Sequence, residues 1–338
     1  MATPMTWPQL GRQLLYSQFF VRIPPPYGDF SGQTVIVTGS NTGLGFEAAR
    51  HLLRLKAAKV ILAVRSLAKG EAAAEELVKL TSATKNAIEV MPLDLLDPDS
   101  IKKFSDWANR LEKLDAVISN AGMLTQQWST VNGMEAQIAV NVVYATLLGL
   151  LLLPKSRASA KKHNARGRIA FVSSDAHYVA QVKEANSPGS LFNALNNRDI
   201  AVMEDRYSTS KLFLLYAIRE IAGRSPVTPD SNVIVDVLTP GMCHSGLFRD
   251  DKPWLHSLIE GFMMHILARS TATGGGALVD AVRTDLPLEA HGAYLMDCKI
   301  AENGPNVESE KGQALQKRFI QELFEKMETI APGITEVL

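Results

Sequence analysis

The chain has 338 residues and 46% hydrophobic content, enough to bury a large core and too much for extensive disorder. Its 35 basic and 35 acidic residues balance to a formal net charge of +0, which leaves no basic footprint for a nucleic acid. Two cysteines, Cys243 and Cys298, cannot build a disulfide framework; they fit a reducing compartment, and with no secretory signal at the start the expected location is the cytoplasm.

Residues 1–30 stand apart as an N-terminal extension. Leu14, Leu15, Phe19 and Phe20 fall at helix-like spacing, and Pro24 to Pro26 stop any helix. The segment is expected to form a short amphipathic helix docked on its own domain, with peripheral contact to a lipid surface as the alternative. From Gln33 onward, short apolar runs alternate with longer amphipathic stretches. The strand candidates are Thr34–Thr38, Val60–Val64, Ala87–Met91, Ala116–Ser119, Arg168–Ser173 and Val233–Leu238. Between them lie helical stretches such as Gly45–Leu55, Lys69–Thr81, Asp99–Arg110 and Tyr207–Gly223. This alternation predicts an α/β fold over residues 31–338, a Rossmann-type doubly wound parallel sheet flanked by helices in one domain.

The run AVNVVYATLLGLLLLP, Ala139 to Pro154, is shorter than the roughly 20 apolar residues a membrane span needs and contains Asn141. A buried helix is expected there rather than a transmembrane span. Two segments break the rhythm: a polar, Asn-rich insertion from Val179 to Glu204, and an excursion from Pro240 to Ser270. Long irregular connections of this kind often serve as lids or binding loops. The second carries Phe248, Trp254, Leu255, Leu258, Ile259, Phe262, Met263 and Met264. These residues either line a lipophilic pocket or pack as a core-facing or dimer-facing helix.

The first strand runs into TGSNTGLG, that is Gly39, Ser40, Asn41, Thr42, Gly43, Leu44 and Gly45. Glycines at a strand-to-helix turn allow the backbone to approach a pyrophosphate, and the helix that follows offers free N–H groups to the anion. The second strand decides which nucleotide. Its end reads VILAVRS, placing Arg65 where an NAD-specific fold carries a carboxylate. A guanidinium suits a 2′-phosphate, so NADP(H) is the expected cofactor. In LDL, before Leu95, Asp94 could reach an adenine amino group or make a turn. SNAG brings Asn120, Ala121 and Gly122 to the end of the fourth strand, where ligands of open α/β sheets bind.

YSTSK sets Tyr207 and Lys211 on one face of a helix. A cation beside a phenol favours the phenolate, so the pair is a candidate acid/base. TGSNTGLG, SNAG, VSS, YSTSK and TPG, in this order from Gln33 to Asp297, resemble the short-chain dehydrogenase/reductase family. ILAVRS, VSSDAH and TPGMCHSG are similar to its retinol-dehydrogenase-like branch. SQFFV, AVRSL and HGAYLMDCKIAE look closer still to fungal reductases that tailor polyketides or terpenoids.

The resemblance implies a tetrad of Asn141, Ser174, Tyr207 and Lys211. In it Tyr207 protonates a substrate carbonyl, Ser174 positions that oxygen, Lys211 lowers the phenol pKa and holds the ribose, and Asn141 supports a relay water. Of the adjacent Ser173 and Ser174, the family pattern favours the second. Cofactor contacts at Pro240, Gly241 and Ser245 follow from the same resemblance. It implies a carbonyl–alcohol oxidoreductase acting on a lipophilic secondary metabolite, as a homodimer or, if the terminal extensions cover the usual interface, a monomer. The other reading is a catalytically silent NADP(H)-binding sensor or scaffold.

Overall fold

The computed structural model describes residues 4–244 and 268–338. Ser245 and most of the apolar excursion from Leu247 to Ala268 therefore lie outside the described residues. The main sheet is built from β1 (Thr34–Thr38), β2 (Lys59–Val64), β3 (Ile88–Pro92), β4 (Ala116–Ser119), β7 (Gly167–Val172), β8 (Val233–Leu238), β9 (Tyr294–Met296) and β10 (Lys299–Ala301). A separate small hairpin pairs β5 (Thr130–Val131) with β6 (Met134–Glu135). The main sheet runs in the order β10-β9-β8-β7-β4-β1-β2-β3, and only β10 is antiparallel to its neighbour.

The sequences TVIVT and KVILAV explain the centre of this sheet. β-Branched side chains pack well on a pleated surface, and a parallel sheet covered on both faces needs apolar residues at every position. Ile36 of β1 registers with Ile61 of β2 on one side and Val117 of β4 on the other. Chain order reverses between β1 and β4, which opens a crevice beyond their carboxyl ends.

One face of the sheet is covered by helices Gly43–Arg54, Leu67–Thr81 and Thr271–Asp280, whose buried Ala48, Leu52, Leu77 and Leu278 join Val35, Leu62 and Ile118 in one core. Helices Pro98–Ala108, Ala136–His163, Met203–Arg224 and Glu310–Ile330 enclose the larger core on the other face. Phe319 of the last helix stacks on Phe213 with ring centroids 4.0 Å apart. This C-terminal helix thus covers part of the helix that carries Tyr207.

The buried helix expected from Ala139 is present, while the insertion and the N-terminal helix depart from expectation. The apolar run from Ala139 belongs to a 28-residue helix, Ala136–His163, long and apolar enough to cross a bilayer. Its apolar window is 94% buried inside the protein, so it packs as a core helix. The insertion is tied down rather than hanging free as a lid. Glu184 pairs with Arg206 at 2.7 Å, Asp205 accepts from the Val182 N–H at 2.9 Å, and Glu322 accepts from the Leu191 and Phe192 N–H groups at 2.8 Å. The N-terminal helix spans Trp7–Phe20 and docks on the domain, but Leu15, Phe19 and Phe20 of its expected apolar set face outward.

Candidate active site

At the crevice, β1 ends in a turn whose Gly39 and Gly43 have φ of +64° and +61°, a left-handed conformation that favours glycine. Helix Gly43–Arg54 begins there with its N-terminus toward a cavity of about 400 Å³. Gly39, Asn41, Thr42, Gly43 and Leu44 line that cavity. Two residues of the motif do not. Ser40 is fully buried and donates its hydroxyl to the Val37 carbonyl at 2.8 Å. Gly45 serves packing: a Cβ there would sit 2.6 Å from the Gly39 carbonyl oxygen and 2.7 Å from the Asn120 amide nitrogen.

Asn120 is itself a brace, donating from Nδ2 to the Thr38 carbonyl at 2.9 Å, while Thr38 Oγ1 accepts from the Asn120 and Ala121 N–H groups. Thr38 was not singled out from the sequence, because nothing in a strand-ending threonine distinguishes such a role. Asn120, Ala121 and Gly122 line the cavity, as do Asp94 and Leu95. The Asp94 carboxylate accepts from the Leu96 N–H at 3.0 Å, so it holds its own turn.

Arg65 lies exposed at the end of β2, and Ser66 and Lys69 join it at the cavity wall. Among the described residues neither Arg65 nor Lys69 forms an ion pair. The second cation was legible as Lys four positions after Arg in RSLAK, on the first turn of helix Leu67–Thr81. The donor set fits a phosphorylated dinucleotide: a helix N-terminus and glycine turn for the pyrophosphate, and two free cations for a further phosphate.

Ser174, Tyr207 and Lys211 meet at the other part of the same cavity, with Pro240 and Gly241 beside them. Ser174 follows β7, caps the short turn Asp175–Val179, and is hydrogen-bonded to the Tyr207 side chain. Ser173 also borders the cavity, but its hydroxyl is turned to the Lys211 carbonyl, to which it donates at 3.1 Å. Alternation along the extended backbone explains why only one of the pair can serve. Burial pushes the Tyr207 phenol up to about 12, opposed by the bond to Ser174. Burial also pulls Lys211 down to about 8. Its Nζ donates to the Val172 carbonyl at 2.9 Å and lies 5.5 Å from the Tyr207 ring centroid.

Asn141 does not line the cavity. It sits in a π-helical stretch, Ala139–Tyr144, a local register often associated with functional sites. Its amide donates to the Met123 carbonyl at 2.9 Å and Ser210 Oγ at 3.0 Å, and accepts from the Met123 N–H at 2.9 Å. Ser210 in turn donates to the Tyr207 carbonyl at 2.8 Å. Asn141 therefore ties the turn after β4 to the tyrosine helix. Behind Ser174, the buried Asp175 accepts from Tyr294 at 2.7 Å. Burial raises that carboxyl to about 6. Cys243 also touches the cavity, with its thiol pushed up to about 12 by burial and so a poor nucleophile.

Residues 33–186 match the short chain dehydrogenase family. Over 325 residues the chain is 38% identical to a short chain dehydrogenase/reductase of Cryptosporiopsis sp., covering 95% of this chain and 98% of the relative. It is 39% identical to a short-chain dehydrogenase of Penicillium roqueforti, covering 98% and 88%. Among solved structures, an uncharacterized protein from Mycobacterium paratuberculosis superposes with a TM-score of 0.63 at 25% identity, covering 88% of this chain and 95% of that one. An NADPH-bound carbonyl reductase from chicken fatty liver shares the fold with a TM-score of 0.57 at 24% identity, covering 82% and 96%.

Proposed function

The chain belongs to the short-chain dehydrogenase/reductase family of oxidoreductases, and on that premise we propose that it is an NADP(H)-dependent enzyme interconverting a carbonyl and an alcohol on a lipophilic small molecule, a secondary metabolite by its resemblance to fungal tailoring reductases. The observation that carries the cofactor choice is the pair Arg65 and Lys69 at the cavity wall, without an ion-pair partner among the described residues, where β2 offers no carboxylate. Their charges favour a 2′-phosphate over a bare ribose hydroxyl.

Bound in the cavity, the nicotinamide supplies the hydride. The protein's part is orientation and proton supply. The phenol of Tyr207, held protonated at neutral pH by burial, donates its proton to the carbonyl oxygen as that oxygen gains negative charge. Ser174 Oγ, within the same hydrogen-bonded pair, holds the oxygen in place. Lys211 presents its cation beside the phenol and favours the phenolate left after proton transfer. Asn141 keeps the tyrosine helix in register through Ser210. Leu96, Met123 and Val140 on the wall supply apolar contact, which supports a lipophilic substrate. Two free thiols support a cytoplasmic site of action. The C-terminal helix covering the Tyr207 helix supports a monomer over the dimer.

The experiment compares NADPH and NADH oxidation with lipophilic ketones and aldehydes in wild type, Tyr207→Phe and Arg65→Glu. Tyr207→Phe is expected to lower kcat by about 10²–10⁴-fold with cofactor binding kept. Arg65→Glu should weaken NADPH binding about tenfold or more while sparing NADH. A wild-type preference for NADH would overturn the cofactor assignment. Tight NADPH binding without turnover across the panel would favour the silent sensor or scaffold instead.

A further inference from the structure

The inward side of the helix Trp7–Phe20 is part apolar, through Leu10 and the half-buried Leu14, and part polar. Ser17, 4% exposed, donates to Asp297 at 2.8 Å, and Arg269 Nη2 donates to the Ser17 carbonyl at 2.7 Å and to its Oγ at 3.0 Å. Gln18 donates to the Met242 carbonyl at 3.3 Å. Leu10 is the fully buried apolar residue of this helix.

The outward side is aromatic. Leu15 is 48% exposed, Tyr16 63%, Phe19 56% and Phe20 77%. Leu15 and Tyr16 stand one helical turn before Phe19 and Phe20, so these four share one face, a stripe with the exposed Arg12 among them. Tyr16 and Phe20 stack at 5.9 Å between centroids. A water-soluble helix normally buries its most apolar side, yet here four large apolar residues face outward while Ser17 and Gln18 share the inward side with Leu10 and Leu14.

The charge around the stripe indicates what covers it. Arg12 and Arg22 are exposed, and the first carboxylate in the chain is Asp29, beyond the helix and its proline stop. Aromatic residues interspersed with arginine and free of acid suit the headgroup layer of an anionic membrane. A second copy of the same stripe would bring arginines to arginines with no carboxylate between them. The helix is also fastened to the rim of the active-site cavity. Met242 and Arg269, its partners, flank the excursion that follows the cavity-lining Pro240 and Gly241. The Met5 N–H donates at 2.8 Å to the Tyr178 carbonyl, on the turn after Ser174.

We infer that the helix Trp7–Phe20 seats the protein on an anionic lipid surface, with its aromatic stripe among the headgroups, Arg12 and Arg22 on lipid phosphates, and the cavity rim facing the bilayer. Binding to lipid can be read without turnover, so its failure and the failure of the reductase reading are separate results.

The full chain is tested by flotation with phosphatidylcholine vesicles, with and without phosphatidylserine, for wild type and Phe19→Glu/Phe20→Glu. Wild type is expected to float with the phosphatidylserine vesicles, and the variant to bind at least about tenfold more weakly with an unchanged unfolding midpoint. Wild type that stays unbound, or a variant that binds equally well, overturns the proposal. So does a lipid-free dimer in sedimentation that the double substitution dissociates, since a second copy would then own the stripe.

Discussion

Lys211 carries its charge in surroundings that oppose it: burial is the cause of its lowered pKa, and no carboxylate is paired with it among the described residues. The ordinary value is 10.5 and the folded value about 8. Between these values the unfolded chain holds the extra proton, so stability rises with pH across that window, and at pH 7 the penalty of the buried cation is present in full. That penalty is up to about 3 kcal/mol, against about 1 kcal/mol for the Val172 carbonyl bond the lysine makes. Lys211→Met is therefore expected to be about 1–2 kcal/mol more stable at neutral pH, read from its denaturant midpoint, while losing reductase activity. A variant less stable than wild type would mean that the lysine is held for structure. The position was legible in YSTSK, since a four-residue spacing is local. The choice of Ser174 over Ser173 rested on resemblance until the backbone after β7 turned one hydroxyl to Tyr207 and the other to the Lys211 carbonyl.

Within β8 every residue is buried, and one of them is Asp236. Neither carboxylate oxygen has a hydrogen-bond partner among the described residues. Burial first, then Asp280, raises its pKa well above the ordinary 3.8, with Arg283 opposing. The folded protein thus keeps a proton that the unfolded chain gives up, and stability is lost as pH rises from the unfolded value through the folded one. Asp236→Val, matching its neighbours Val235 and Val237, is expected to stabilise by about 1–3 kcal/mol. The gain should be larger at about pH 8 than at about pH 5, which urea midpoints at the two values would check. An equal gain at both would mean that the folded carboxyl is already ionised by about pH 5, against the raised pKa. Strand limits matched the apolar runs to within a residue or so, because a continuous β-branched run is a local signal. The π-helical stretch at Ala139–Tyr144 was hidden, because its register depends on what Asn141 meets across the fold.

Across the whole molecule, Arg269 joins parts of the chain far apart in sequence. It pairs with Asp297 at 2.8 Å, both side chains under a tenth exposed, and bonds Ser17 of the N-terminal helix. Arg269→Met would leave Asp297 buried with one hydrogen bond from Ser17. Removing one partner of a buried pair costs about 3–5 kcal/mol, and the remaining bond lowers the expected loss to about 2–4 kcal/mol. Urea unfolding checks the size, and limited proteolysis of the first twenty or so residues checks that the helix is what loosens. Unchanged protection of that segment would show the helix to be held by Leu10 and its neighbours alone.

Local pattern was enough to determine the α/β alternation, the glycine cradle, the arginine at the end of β2 and the spacing of Tyr207 and Lys211, because each depends on residues within a turn or a strand of one another. Tertiary structure alone decided the rest. It turned Ser40 and Gly45 from ligand contacts into packing, made Asn120 and Asn141 braces, pinned the insertion through Glu184 and Glu322, and set the N-terminal helix with its aromatic side out. In each case a partner many residues away, such as Asp297 for Ser17, fixes which way a side chain faces, and no local period encodes that choice.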